Sequence, residues 1–375
     1  RSARTASESF PAEATAPSET HSSAHSAPTT ATAALEAGAG ERIVTVAVPT
    51  DFAPQAPAGA TDEYRCFVVD PGVAEDVMIT GTEFQPGNPA IVHHSSLFAA
   101  TPEQVPAAEE LDAADPEPGY ECFGGAMLPA RGGVLAGLDE SDWITAWAPG
   151  GDANELPTGY GMELPEGGRI VIQMHYNLRS EQGVDNTAVR LRVSDKKLKP
   201  LRTMLLPAPV ELPCAPGETG RLCDRTDAVD DVVSRFGADS GSTIAGLQLL
   251  CGGDPDDPQA SSVQTCDRPV AKDAKVFAVA GHMHLLGREI SVTLNPGTPG
   301  EKTLLDIENW DFDQQGAIPL DKPVDVGPGD TLRVKCRHDA TLRSQLPALQ
   351  GTPARYVVWG EGTTDEMCLA ILLNG

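Results

Sequence analysis

No apolar run in this 375-residue chain approaches the roughly 18 residues that a membrane-crossing helix requires. Basic residues are scarce as well: 27 stand against 54 acidic ones, a net charge of 27 − 54 = −27 at pH 7. Such a field repels nucleic acid and anionic membrane surfaces, so no nucleic-acid partner is expected. It keeps the chain soluble and could enrich cations near the surface, but solvation or a salty habitat is the simplest explanation for it. No CxxC pair and no CxxC…HxxxH spacing is present to build a zinc ribbon or finger. Convincing helical periodicity never lasts beyond about ten residues, so long helices are not expected.

Eight cysteines are present, an even number scattered through the chain, and disulfides explain them better than metal thiolates. That places the protein in a disulfide-permissive compartment: secreted, periplasmic or at the cell surface. The missing start methionine fits a chain whose targeting segment has been removed.

Residues 1–41 are rich in Ala, Ser, Thr and Pro, with almost no branched aliphatics to offset chain entropy, and read as a disordered tether. A membrane attachment through this tether is left open. His21 and His25 lie within it and are expected to be solvated. From residue 42 the pattern changes to short β-rich runs broken by Gly and Pro, among them ERIVTVAV, RIVIQMHYNL, AVRLRVS, KVFAVAGHMH and TLRVKC. The fold class is all-β, most simply two antiparallel β-sandwich domains of jelly-roll type, 42–198 and 199–375.

Against this background the histidines are concentrated. Five of the eight lie in three short β motifs, as His93-His94, His175 and His282-Met283-His284, and Met367 stands near the C-terminus. Residues two apart on a strand share a face, so His282 and His284 point one way and Met283 the other, into the core. In the run from Arg169 to Tyr176, alternation puts Val171, Gln173 and His175 opposite Ile170, Ile172, Met174 and Tyr176. Met367, Leu369, Ile371 and Leu373 share a face, and Cys368 points away. Adjacent residues on an ideal strand diverge, so for the His93-His94 pair taken alone a surface or loop pair is the commoner outcome. Imidazoles combined with a thioether favour a soft ion, and copper is the leading reading.

The segments IVHHSSLF, IVIQMHYN, AGHMHLLG and WGEGTTDEMC, in this order and spacing, resemble the copper type II, ascorbate-dependent monooxygenases. ITAWAPGG, NWDFDQQ and PVDVGPGDTLRVKC are secondary matches, and the resemblance covers roughly residues 60 to 375. It implies two mononuclear copper sites per chain, facing each other across a solvent-filled interdomain cleft. His93, His94 and His175 would form the electron-transfer site. His282, His284 and Met367 would form the oxygen-binding site. The implied reaction is hydroxylation of a C–H bond of a small organic substrate by O2, with ascorbate or another one-electron reductant as co-substrate. Gln173 matches a family glutamine on the route between the sites, and a structural role for it is equally open. The resemblance also implies disulfides Cys336–Cys368 and Cys66–Cys122. It does not pair Cys214, Cys223, Cys251 and Cys266.

Two positions depart from the family's peptide-hydroxylating pattern. An arginine that would hold a substrate carboxylate is replaced by Ala280, and a tyrosine assisting it is replaced by Ile371. The pocket beside the oxygen site is therefore expected to be more apolar, and to take a neutral or hydrophobic small molecule. Glu361, Asp365 and Glu366 are read as hydrogen-bonding residues of a turn, and His338 as an ordinary surface residue. A copper-binding or electron-transfer protein without hydroxylase turnover is the alternative; it would bind metal without consuming O2. A zinc hydrolase built on His93, His94 and His175 leaves the second ligand set unexplained, because zinc seldom recruits a thioether.

Overall fold

A computed structural model of the chain describes residues 34–56, 62–123, 125–129, 138–139, 141–147, 149, 151, 153–178, 181–312 and 314–375. His21 and His25 lie outside the described residues. Residues 34–375 form one compact unit, built mainly of short strands. The described residues include 34–41, the end of the stretch assigned to the tether, and the rest of that stretch lies outside them. Leu35 is fully buried, its amide donates to the Glu83 carboxylate, and Glu41 opens the first strand.

Two sheets occupy the N-terminal half. One runs in the order Glu41–Ala47, Ala188–Ser194, Val77–Gln85, Tyr160–Leu164, Lys199–Pro200, with Asn154–Glu155 also pairing to Val77–Gln85. The other runs Tyr120–Glu121, Asp62–Val69, Arg169–Asn177, Val92–Ala100, Trp143–Trp147. Both contribute to one apolar cluster, in which Ile170, Ile172, Met174 and Tyr176 are fully buried alongside Val189, Leu191 and Val193. Each such side chain contributes roughly 1.5–3 kcal/mol when fully buried. The opposite face of Arg169–Asn177 carries Val171, Gln173 and His175, as alternation requires, with Val171 packed under a smaller cluster around Cys66 and Cys122.

The C-terminal half holds a sheet ordered Arg202–Pro207, Leu369–Asn374, Ala274–His282, Ile318–Val326, and another ordered Val263–Pro269, Thr331–His338, Gly287–Leu294, Lys302–Ile307. Their shared cluster contains Met283, buried as expected, together with Ile290, Val292, Leu332, Val334 and Leu372.

Helices are longer than the sequence periodicity suggested: Arg225–Phe236 has 12 residues and Ala238–Leu250 has 13. The first is capped by Asp224, whose side chain accepts from the amides of Thr226 and Asp227, and it ends at Gly237. The second buries Ile244 and Leu247 but contains Gly241 and Gly246 and shows no clear apolar stripe, so its period is invisible in the sequence. Four disulfides brace the molecule: Cys66–Cys122, Cys336–Cys368, Cys214–Cys223 and Cys251–Cys266. The last two settle the pairing that the sequence left open.

Candidate metal centre

His94 pairs with His175 across the neighbouring strands Val92–Ala100 and Arg169–Asn177, and the register slips between Val92 and His94. The slip makes His93 the extra residue of a β-bulge, which turns its side chain toward its neighbour's side instead of away from it. Adjacent histidines thereby converge. His93 Nδ1 lies 3.3 Å from His94 Nδ1 and 3.3 Å from His175 Nδ1, and His175 Nδ1 lies 3.2 Å from His94 Nδ1.

This triangle fits a metal better than it fits three imidazoles alone. His175 Nε2 is 2.9 Å from Asp62 Oδ1, so that nitrogen carries the proton and Nδ1 presents its lone pair to the other two rings. Three mutually facing nitrogens cannot all be satisfied by shared protons. A tetrahedral ion with nitrogen ligands at about 2.0 Å requires N···N separations of roughly 3.3 Å. Burial, reinforced by the neighbouring His175, lowers the His93 pKa to about 4. Burial also lowers those of His94 and His175, and such imidazoles are unprotonated, as metal binding demands. Tyr64 stacks on His175 with centroids 4.0 Å apart, and its hydroxyl donates to the Glu361 carbonyl at 3.0 Å.

His282 ends the strand Ala274–His282, and His284 follows it, their ring centroids 5.2 Å apart. Close approach of the chain behind them requires Gly287, where a Cβ would fall 2.8 Å from Met283 Cβ and 3.1 Å from the His284 carbonyl. His282 Nδ1 is 2.5 Å from Gln315 Oε1, and His284 Nδ1 is 3.2 Å from the Asp365 carbonyl. Both Nδ1 atoms thus act as donors and both Nε2 atoms keep lone pairs. Burial, with His284 close by, brings the His282 pKa down to about 4. Met367 is buried, and with His282 and His284 it lines one chamber of about 2160 Å³. Leu369, Ile371 and Leu373 line it too, while Cys368 faces the other way into its disulfide.

The two sets adjoin. His94 and His282 have ring centroids 6.5 Å apart, and Phe312 lies 5.2 Å from His93 and 6.2 Å from His284. Gln173 lines the chamber, but its amide donates to the Gly125 carbonyl at 3.0 Å and reaches Cys122 Sγ at 3.5 Å. It holds the loop after Cys122 in place; neither bond goes to a histidine.

His338 is a correction, because it is buried rather than at the surface: its Nε2 lies 3.2 Å from the Met367 carbonyl and 3.4 Å from Glu366 Oε2. Asp365 and Glu366 have the structural roles expected of them. Asp365 receives both terminal nitrogens of Arg235 at 2.7 Å and Arg355 at 3.0 Å. Glu366 accepts from the His284 amide at 2.9 Å and the Leu286 amide at 2.5 Å. Asp62, Tyr64, Phe312 and Gln315 were not singled out from the sequence. Of these, Phe312 and Gln315 lie in the NWDFDQQ segment.

Residues 261–373 match the model of the copper type II ascorbate-dependent monooxygenase C-terminal domain. Human DBH-like monooxygenase protein 1 is 23% identical over 295 residues, covering 77% of this chain and 40% of that protein. Peptidyl-glycine alpha-amidating monooxygenase A of Xenopus laevis is 24% identical over 315 residues, covering 82% of this chain and 26% of that protein. The chain therefore spans less than half the length of these relatives. Among solved structures, an allantoicase aligns over 86% of this chain and 90% of its own with a TM-score of 0.19 and 11% identity, too weak a likeness to carry an argument. The family match over residues 261–373, the two monooxygenase relatives and the four motifs agree, and the chain is similar to the copper type II, ascorbate-dependent monooxygenases, whose C-terminal domain model it matches.

Proposed function

We propose that this chain is a copper-dependent monooxygenase that hydroxylates a C–H bond of a small organic substrate, using O2 and a one-electron reductant such as ascorbate. The observation that carries the reading is that His93, His94 and His175 converge in a triangle whose His94 lines the same chamber as His282, His284 and Met367, with the His94 and His282 ring centroids 6.5 Å apart. His93, His94 and His175 would hold the electron-transfer copper, and His282, His284 and Met367 the oxygen-binding copper. Copper, when bound, supplies one-electron chemistry and the capacity to activate O2.

The chain's own groups do the rest. Asp62 fixes the His175 tautomer, and Gln315 and the Asp365 carbonyl fix those of His282 and His284. A thioether at Met367 favours the reduced ion, whereas an all-imidazole set suits a site that only passes an electron. The chamber wall would hold substrate beside Met367, and its largely apolar lining would favour a dry surface on that side. Residues 42–198 and 199–375 would act as two β domains, each carrying one site. Four disulfides support an extracellular or periplasmic setting.

The test is copper stoichiometry with X-ray absorption on the reduced protein. About two coppers per chain, with one sulfur scatterer among imidazole nitrogens, is the expected result. One copper without sulfur, or zinc in its place, would overturn the oxygen-site assignment. Two coppers without substrate-dependent O2 use, across a broad substrate screen, would leave a copper-binding or electron-transfer protein.

A further inference from the structure

We infer that the chamber beside Met367 is a binding site for a bulky, uncharged and predominantly apolar molecule, well beyond a single aromatic ring in size. The substrate role of that molecule rests on the monooxygenase reading; its binding does not.

Three observations converge on this chemistry. The chain has only four tryptophans, and all four, Trp143, Trp147, Trp310 and Trp359, line this chamber. Of the four large hydrophobic side chains that are exposed among the described residues, Met127, Leu249 and Ile318 line it as well, and Val184 lies elsewhere. Exposed apolar side chains gathered on one cavity fit a ligand site, whereas the same side chains scattered singly over the surface would not. At about 2160 Å³ the space exceeds the roughly 300–1,000 Å³ of an ordinary small-molecule pocket.

Charge supplies the selectivity. Among the described residues the lining includes Glu155, Asp239 and Glu361 but no lysine or arginine, in a chain whose net charge is −27. In the metal-free chain a carboxylate, sulfonate or phosphate entering here would lose its hydration and find no lysine or arginine among the described lining residues. Ala280 and Ile371 face each other across paired strands in this wall, where neither can bind an anion.

The wall also uses parts of the chain outside the family match. Residues of the helix Ala238–Leu250 line one side, and every residue of the strand Trp143–Trp147 lines another. Both precede residue 261, where the family match begins. The helix is pinned at its C-terminal end by Cys251–Cys266, so this wall is held by a covalent link to the matched domain.

A matched pair of fluorescent probes tests the inference on the metal-free 375-residue chain. N-phenyl-1-naphthylamine is uncharged; 8-anilino-1-naphthalenesulfonate has the same aromatic frame and one negative charge. The uncharged probe should bind saturably, with energy transfer from tryptophan, and at least tenfold more tightly than the sulfonate. Ala280→Arg should narrow that ratio by at least fivefold, with the folded state checked by circular dichroism. Equal or tighter binding of the sulfonate to the unaltered chain would overturn the inference, as would the absence of saturable binding of the uncharged probe. Copper content, measured separately, reports on the monooxygenase reading. A chain that binds the uncharged probe but no copper would sink that reading and leave the chamber's chemistry standing.

Discussion

His338 Nε2 lies 3.2 Å from the main-chain oxygen of Met367 and, on its other side, 3.4 Å from the carboxylate of Glu366. Glu366 in turn accepts from the amides of His284 and Leu286. One buried pair therefore ties the backbone that carries Met367 to the backbone that carries His284. Burial works to raise the Glu366 pKa, but His338 and the His284 segment outweigh it and hold the carboxyl below its ordinary range.

Replacing this histidine should loosen one proposed copper site and not the other. His338→Phe keeps an aromatic ring in the space while removing the donor to Met367 and the partner of Glu366. The expected cost is roughly 1–3 kcal/mol of stability, read from urea unfolding. With copper loaded, the sulfur scatterer at the reduced second site should weaken or vanish, while the imidazole signal of the first site stays. An unchanged copper–sulfur signal would show that His338 only fills space.

Met367→Ile addresses the thioether itself. Isoleucine retains most of the apolar volume but offers no ligand, so substrate-dependent oxygen use should be abolished while His93, His94 and His175 still take up copper. A fully active variant would remove Met367 from the site.

Much of this site could be read along single strands, because period-two alternation is local. It placed Met283 in the core, separated Gln173 and His175 from their apolar neighbours, and set Met367 apart from Cys368. The bulge at His93 could not be read that way: an inserted residue exists only relative to a partner strand, and no single segment encodes it. His338 was legible and was missed. It shares a face with Leu332, Val334 and Cys336, all buried, so alternation alone puts it inside. Helix Arg225–Phe236 also had its signals, with Asp224 at the start, Arg235 in the last turn and Gly237 at the end. Asp62 and Tyr64 reach His175 through sheet register and stacking, which are long-range features.

The electron-transfer assignment rests on His175 and its support. His175→Ala should block coupled turnover while the fold survives, because it removes one ligand from a scaffold braced by Cys66–Cys122. Asp62→Asn should be milder, lowering copper affinity at the first site by about 10- to 100-fold through loss of the carboxylate that orients the ring. Competition with a calibrated chelator measures both. Normal turnover in His175→Ala would sink the assignment.

The last expectation concerns pH and the protein without metal. Burial is the leading cause that lowers the pKa of His93 and of His282 from 6.5 to about 4. In the unfolded chain each imidazole takes up a proton near pH 6.5, whereas in the folded chain it does so only near pH 4. Below pH 6.5 the unfolded state binds more protons, so stability is complete above that value and declines as pH falls toward 4. A shift of this size corresponds to about 3 kcal/mol for each histidine, as a ceiling, because the rings sit together and do not titrate independently. Bound copper would protect the folded state by competing with those protons, so the decline should shrink in the loaded protein. Urea midpoints measured between pH 8 and 4, with and without copper, check this directly. Metal-free stability that stays flat from pH 6.5 to 4.5 would mean that these histidines are not buried as an unprotonated cluster.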